Sequence, residues 1–273
     1  MDEITYRNKT YKGPESWKAC DRRQFEKLIP FCRLPADAIT DEIYGMAVQL
    51  IFRIRPLDWA RWRLSQLQWE ALKKQIQWVF EMPEGKPFEY FEHDAIRYLL
   101  MDELFADTSA LELSMAMMAY TDFVRPDDRD LSALDRLLAT IYRPERKDLK
   151  AFKNSEEWNG DMREPYNESR MLMHAQHLAT LSLETKTVLL TYFEVQTRLF
   201  LDQYDELFGG DTEPRYSDGR GWIMMLKNIA KEGHFGNFDQ VCRQPVHLVF
   251  VAALDDTLNA EEIRDKQENG YEY

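Results

Sequence analysis

His174 and His177, in the run HAQH, are the one pair of histidines close enough in sequence to share a helix face. Three residues apart, two imidazoles could supply two ligands to a metal such as zinc. A zinc-protease helix instead needs histidines four apart with a glutamate beside the first. Here Ala175 and Gln176 stand between them, and no third ligand is signalled. Cys242 with nearby His247 could make a thiolate–imidazole pair, although Pro245 separates them. These two sets define one reading, a metal- or thiol-dependent enzyme. Nothing else in the chain supports it. Gly219 and Gly221 lie in GDTEPRYSDGRGW, which lacks the GxxxxGKS/T and GxGxxG spacings that let backbone N–H groups cradle phosphates. No GxSxG nucleophile turn occurs. The paired acids Glu156-Glu157, Asp255-Asp256 and Glu261-Glu262 sit in polar, solvated contexts that do not tune a carboxylate for acid–base work. No catalytic residue, cofactor site or metal site is assigned, and the expectation is a protein that is not an enzyme.

Aromatic side chains offer a different chemistry. Trp59, Trp62, Trp69 and Trp78 fall in a short span that also holds Arg53, Arg55, Arg61 and Arg63. Tryptophan and arginine dominate the energetics of protein–protein contacts. Trp59, Trp62, Trp69 and Arg61 are therefore the candidate protein-interaction residues, with core packing as the competing account of the tryptophans. Met115, Met117, Met118, Met171 and Met173 could form an adaptable binding surface, again in competition with the core.

The elements that must position these residues read mainly as α. Leu57 to Phe80 keeps its apolar residues largely apart from Gln66, Glu70, Lys73, Lys74 and Gln77, the pattern of one amphipathic helix. The stretch Ser182 to Gly210 is the clearest of all, with Ser182 as N-cap, apolar positions recurring every three or four residues, and Gly209-Gly210 as terminator. A helix of roughly 25 residues would run about 37 Å, long enough to be the central element. Pro30 is expected to stop a helix begun at Asp21, and Pro56 one running from Pro35 to Ile54. Ser109 and Glu112 form a capping box, and Asp130, Asn167 and Asn237 are further caps. The segment from Met82 to Asp107 reads as a short strand or hairpin feeding a helical turn, or as an ordered loop. The expected fold is thus an irregular bundle of about nine helices with a long central helix and at most one small β element. Its expected organisation is a polar arm (1–20), a helical half (21–142), a polar surface excursion (143–166), a second helical half (167–258) and a charged, fraying tail (259–273), with a single domain as the alternative.

The chain has 273 residues, 44% hydrophobic and 13% aromatic, enough for a substantial core. Its net charge of −13 opposes binding to nucleic acid or to an anionic membrane. Three cysteines, Cys20, Cys32 and Cys242, cannot all pair, and the set reads as reduced thiols in a cytoplasm. The polar start MDEITYRNKTYKG has no apolar signal segment, and no run is long enough to span a membrane.

Four phrases carry a resemblance. LLATIYRPERKD (Leu137 to Asp148), REPYNESR (Arg163 to Arg170), the helix ending YDELFGG (Tyr204 to Gly210) and GWIMMLKNIAKEGHFGNFDQV (Gly221 to Val241) together span roughly the C-terminal half. In order and spacing they resemble virion-morphogenesis proteins encoded by tailed phages and prophages. The resemblance implies a non-enzymatic role made in the host cytoplasm: a tail-assembly chaperone, or a structural virion component such as a connector or tail-completion protein. The implied partner is a phage tail or virion protein, or a second copy of the chain.

Overall fold

The structure, a computed structural model, describes residues 2–126, 130–156, 158–207 and 216–268. The mainly α class holds, but the described residues carry twelve α-helices and two small sheets, where about nine helices and at most one β element were expected. The chain divides into two compact units. One comprises the residues up to Phe88 with Ser182–Val195; the other comprises Glu89–Leu181 with the residues from Gln196 onward. The polar stretch 143–166, expected to separate two halves, lies inside the second unit.

In the first unit the N-terminal residues form a hairpin, β1 (Asp2–Tyr6) with β2 (Lys9–Gly13). Arg7 and Asn8 both take positive φ, as a two-residue turn between twisted strands requires. Alternation along β1 turns Ile4 and Tyr6 to one face, so this stretch is an ordered element where a polar arm was expected. Helix α1 (Arg22–Cys32) is capped by Asp21 and runs through Pro30, which was expected to end it. So close to the helix end, proline forfeits a single backbone bond and the last turn survives. Helix α2 (Asp41–Ile51) starts at the Thr40 cap. Pro56 does not merely break a helix: it is the first residue of α3 (Pro56–Trp59), where its missing N–H is harmless. The single helix expected over 57–80 is three pieces, α3, then α4 (Gln66–Gln75), then a 3₁₀ turn at Gln77–Phe80. Ser65 and Gln68 close a reciprocal capping box that starts α4 afresh. The core of this unit gathers Leu28, Phe31, Ala47, Val48, Ile51, Leu72, Ile76 and Val79.

The second unit opens with a hairpin, β3 (Tyr90–His93) and β4 (Ile96–Leu99), turning on positive-φ Asp94 and Ala95. It then continues through α5 (Ala110–Val124) and α6 (Leu131–Ile141) to β5 (Arg143–Pro144), which pairs with β4. The helices α7 (Leu149–Phe152), α8 (Glu168–Leu178), α10 (Gly221–Lys231), α11 (Phe238–Arg243) and α12 (Val246–Glu268) follow, while α9 (Leu183–Leu201) belongs to the first unit as far as Val195 and to this one from Gln196. The expected caps Ser109, Asp130, Asn167 and Asn237 all accept backbone N–H groups. Ser182 accepts the N–H of Thr185 at the start of α9. The long helix is α only to Leu201 and then tightens to 3₁₀ at Asp202–Leu207; the Gly209-Gly210 terminator lies outside the described residues. From Val188 to Thr197 nearly every residue of α9 is buried, so this stretch has no solvent face. The tail expected to fray from 259 is helical as far as Glu268.

The excursion 143–166 is also not all surface. Arg143, Asp161 and Arg163 are buried, and Arg163 is the bulkiest fully buried side chain of the described residues. Arg163 donates through Nε to Asp161 Oδ1 (2.7 Å), through Nη1 to the Ile141 carbonyl (2.8 Å) and through Nη2 to the Asp107 carbonyl (2.7 Å). Arg143 Nη2 reaches Asp161 Oδ2 at 2.7 Å and Glu112 Oε1 at 3.0 Å. Burial opposes the Arg163 charge, but Asp107, Asp161 and Glu112 outweigh it and hold its pKa above the usual range. Burial pushes the Asp107 carboxyl up, against the pull of Arg163. Two guanidiniums and three carboxyls thus tie this stretch to the start of α5, satisfied by hydrogen bonds as buried charges must be.

Candidate interaction site

Three of the four candidate residues meet. Trp59, Trp62 and Trp69 line one open cleft of about 710 Å³ in the first unit, and α2 supplies the facing wall through Asp41, Glu42 and Gly45. Trp59 stands 5.1 Å from Trp62 and 6.1 Å from Trp69 between ring centroids, both pairs tilted. All three indoles are half-buried, with one side on the core of Leu72 and its neighbours and the other on the cleft. Core packing, the competing account, thus holds for one side of these rings, while the other side lines the cleft. Arg61 is exposed and is not among the lining residues. Its charge instead acts on Asp58, which accepts from Arg55 at 3.0 Å and lies 3.9 Å from Lys9.

Local structure explains the geometry. Residues 60–64 are non-helical, and Trp62 lies between Trp59 of α3 and the hairpin. There it stacks on Tyr6 at 4.5 Å and 19°. The Tyr6 hydroxyl accepts the Arg63 N–H (2.7 Å) and donates to the Arg61 carbonyl (3.4 Å), clamping the segment. Gly45 lets Trp59 lie against α2, because a Cβ there would stand 3.3 Å from Trp59 Cζ2. On α4, Lys73 Nζ bonds Asp41 Oδ1 at 2.7 Å and Glu70 Oε1 at 3.1 Å while lying 5.6 Å from the Trp69 ring and 5.5 Å from that of Tyr44. The Lys73 ammonium, with help from the Trp69 indole, holds the Asp41 carboxyl below its usual range. Glu42 has no ion pair among the described residues.

Asp41, Glu42 and Gly45 were not picked out from sequence. Gly45 was the available signal, since an isolated glycine inside an apolar helical pattern often marks close approach by another group. The acids carried none, because only the chain path through 60–64 brings them opposite the tryptophans.

The other candidates lie elsewhere. His174 is buried, with Nδ1 3.1 Å from the Tyr98 hydroxyl, and burial lowers its pKa. His177 stands 3.9 Å from Asp94, and the two imidazoles are 6.4 Å apart. Among the described residues no group of three or more His, Cys, Asp or Glu is placed to hold a metal ion. His247 bonds Tyr204 through Nδ1 (2.9 Å) and the Leu104 carbonyl through Nε2 (2.7 Å), while Cys242 packs into an apolar cluster with Leu226 and Val249. Burial raises the Cys242 thiol and pushes those of Cys20 and Cys32 up to about 12. Met117 and Met171 are buried, and Met173 is exposed. No protein-family model, curated protein or solved structure matches the chain.

Proposed function

We propose that this chain is a non-enzymatic interaction protein of tailed-phage or prophage tail morphogenesis, acting in the host cytoplasm as an assembly chaperone that holds a tail or virion protein. The cleft carries the interaction part of this reading. Three tryptophans partly exposed on one concave surface are costly to leave open to water and well suited to anchoring a partner's side chains. The phage part rests on the resemblance of the C-terminal half.

The test is co-purification of the tagged chain from cells producing the particle, beside Trp69→Ala. The wild type should bring down a tail or virion protein, and the variant should lose it while keeping its helical circular dichroism. A partner retained by the variant would place binding elsewhere. Mass spectrometry of finished particles supplies the second arm, since a chaperone is absent from them.

One observation favours the structural-component reading instead. Leu248, Val251, Leu258 and Ile263 of α12 are each about half exposed and fall within one broad face of that helix. A component built into a particle needs more than one interface, and these four apolar side chains, interleaved with Asp255, Asn259, Glu262 and Lys266, give a second, mixed surface. Several copies per finished particle would decide for it.

A further inference from the structure

We infer that the cleft receives a cation, the arginine or lysine side chain of a single basic residue presented by a segment of the partner protein. This rests on the interaction reading above and names the chemistry of the partner. The lining combines three indoles with two carboxylates, Asp41 and Glu42, and among the described residues no lysine or arginine joins them. The faces of indole rings carry negative electrostatic potential and attract a guanidinium or ammonium placed over them. The protein already uses this arrangement beside the cleft. Lys73 sits against Trp69 and Tyr44 with Asp41 and Glu70 as its counter-charges.

Asp41 is thereby occupied, which leaves Glu42 as the carboxylate free to pair with an incoming charge. A neutral apolar plug fits less well, because covering Glu42 without a partner strips its water and returns nothing. A volume of about 710 Å³ exceeds that of one side chain, so flanking residues of the segment enter too. The positive groups nearby limit the segment to one basic residue, directed at the α2 wall. Arg55 and Lys9 gather around Asp58, Arg63 bonds the carbonyls of Ala60 and Trp62, and Lys73 already holds Asp41 beside Trp69. A second basic residue would meet them as like charges.

The experiment titrates the full chain, ¹⁵N-labelled at tryptophan, with acetyl-Ala-Ala-Xaa-Ala-Ala-amide in which Xaa is arginine, lysine, citrulline or norleucine. Arginine and lysine peptides should move the indole N–H signals of Trp59, Trp62 and Trp69. The isosteric but neutral citrulline peptide should bind about tenfold more weakly, the scale of one cation–π contact with its counter-charge. Glu42→Gln should weaken the arginine peptide by a similar factor with no change in melting temperature, since Glu42 is exposed. Citrulline or norleucine binding as tightly as arginine, an undiminished Glu42→Gln, or no movement with any peptide would each overturn the inference. If Trp69→Ala still abolishes partner capture in those cases, the interaction reading survives and only the cationic anchor falls. If capture also fails, both fall.

Discussion

At the scale of single residues, Gly45 is where the cleft is most easily closed. Gly45→Ala should improve the intrinsic helicity of α2 by about 0.5–1 kcal/mol. The same methyl group presses on Trp59, whose ring must shift by a few tenths of an ångström. The expected result is a melting temperature near wild type, an altered tryptophan emission spectrum and weaker partner capture. Arg163 is the opposite kind of residue. Replacing it by methionine takes the guanidinium from Asp107 and leaves Asp161 and Glu112 with Arg143 alone, and breaking such a buried set typically costs about 3–5 kcal/mol. Urea unfolding should show that loss; a change under 1 kcal/mol would mean the network is looser than its distances. His174 gives a pH dependence with a definite sign. Its folded pKa lies below the ordinary 6.5, so the unfolded chain takes up the proton first as pH falls. Its contribution is complete above 6.5 and diminishes as pH drops below that value. His174→Gln should flatten the stability–pH curve in that window. Of these residues only His174 stood out in the sequence, and there for metal chemistry. Arg163 looked like one more charge in a polar stretch, because its burial depends on contacts with residues more than fifty positions away.

Elements were more legible than their joins. The caps at Ser109, Asp130, Asn167 and Asn237 could be read because capping is local: a side chain answers an N–H two or three residues on. The stretch 57–80 could not, since its apolar spacing suits one helix, while the Tyr6 clamp on Arg61 and Arg63 and the fresh start at Ser65 keep 60–64 out of it. Pro30 misled for a related reason, as its cost depends on how near the helix end it falls. The joint before α4 also yields a prediction. Ser65→Ala removes half of a capping box at the lip of the cleft and should cost about 1 kcal/mol. The loss should appear as faster hydrogen exchange in the first turn of α4, with the core of α2 unchanged. The β1–β2 hairpin escaped notice because five-residue strands without an Asn-Gly turn carry little local signal.

For the whole molecule, apolar periodicity and caps forecast the mainly α class, and composition a substantial core, but neither said much about arrangement. A net charge of −13 predicts passage through a heparin column without retention at physiological salt, and retention there would expose a basic surface that the sum conceals. No helix among the described residues is long and apolar enough to cross a membrane. The cysteines have a practical consequence on this scale. Cys32 and Cys242 are buried and Cys20 partly so, and all three thiols are held above their ordinary pKa. Alkylating reagents attack the thiolate, and near neutral pH these residues offer almost none. The native chain therefore serves as its own silent background for site-directed labelling. A cysteine introduced in place of Met46, exposed at the edge of the cleft, should be the first to take a maleimide dye and would report directly when that cleft fills.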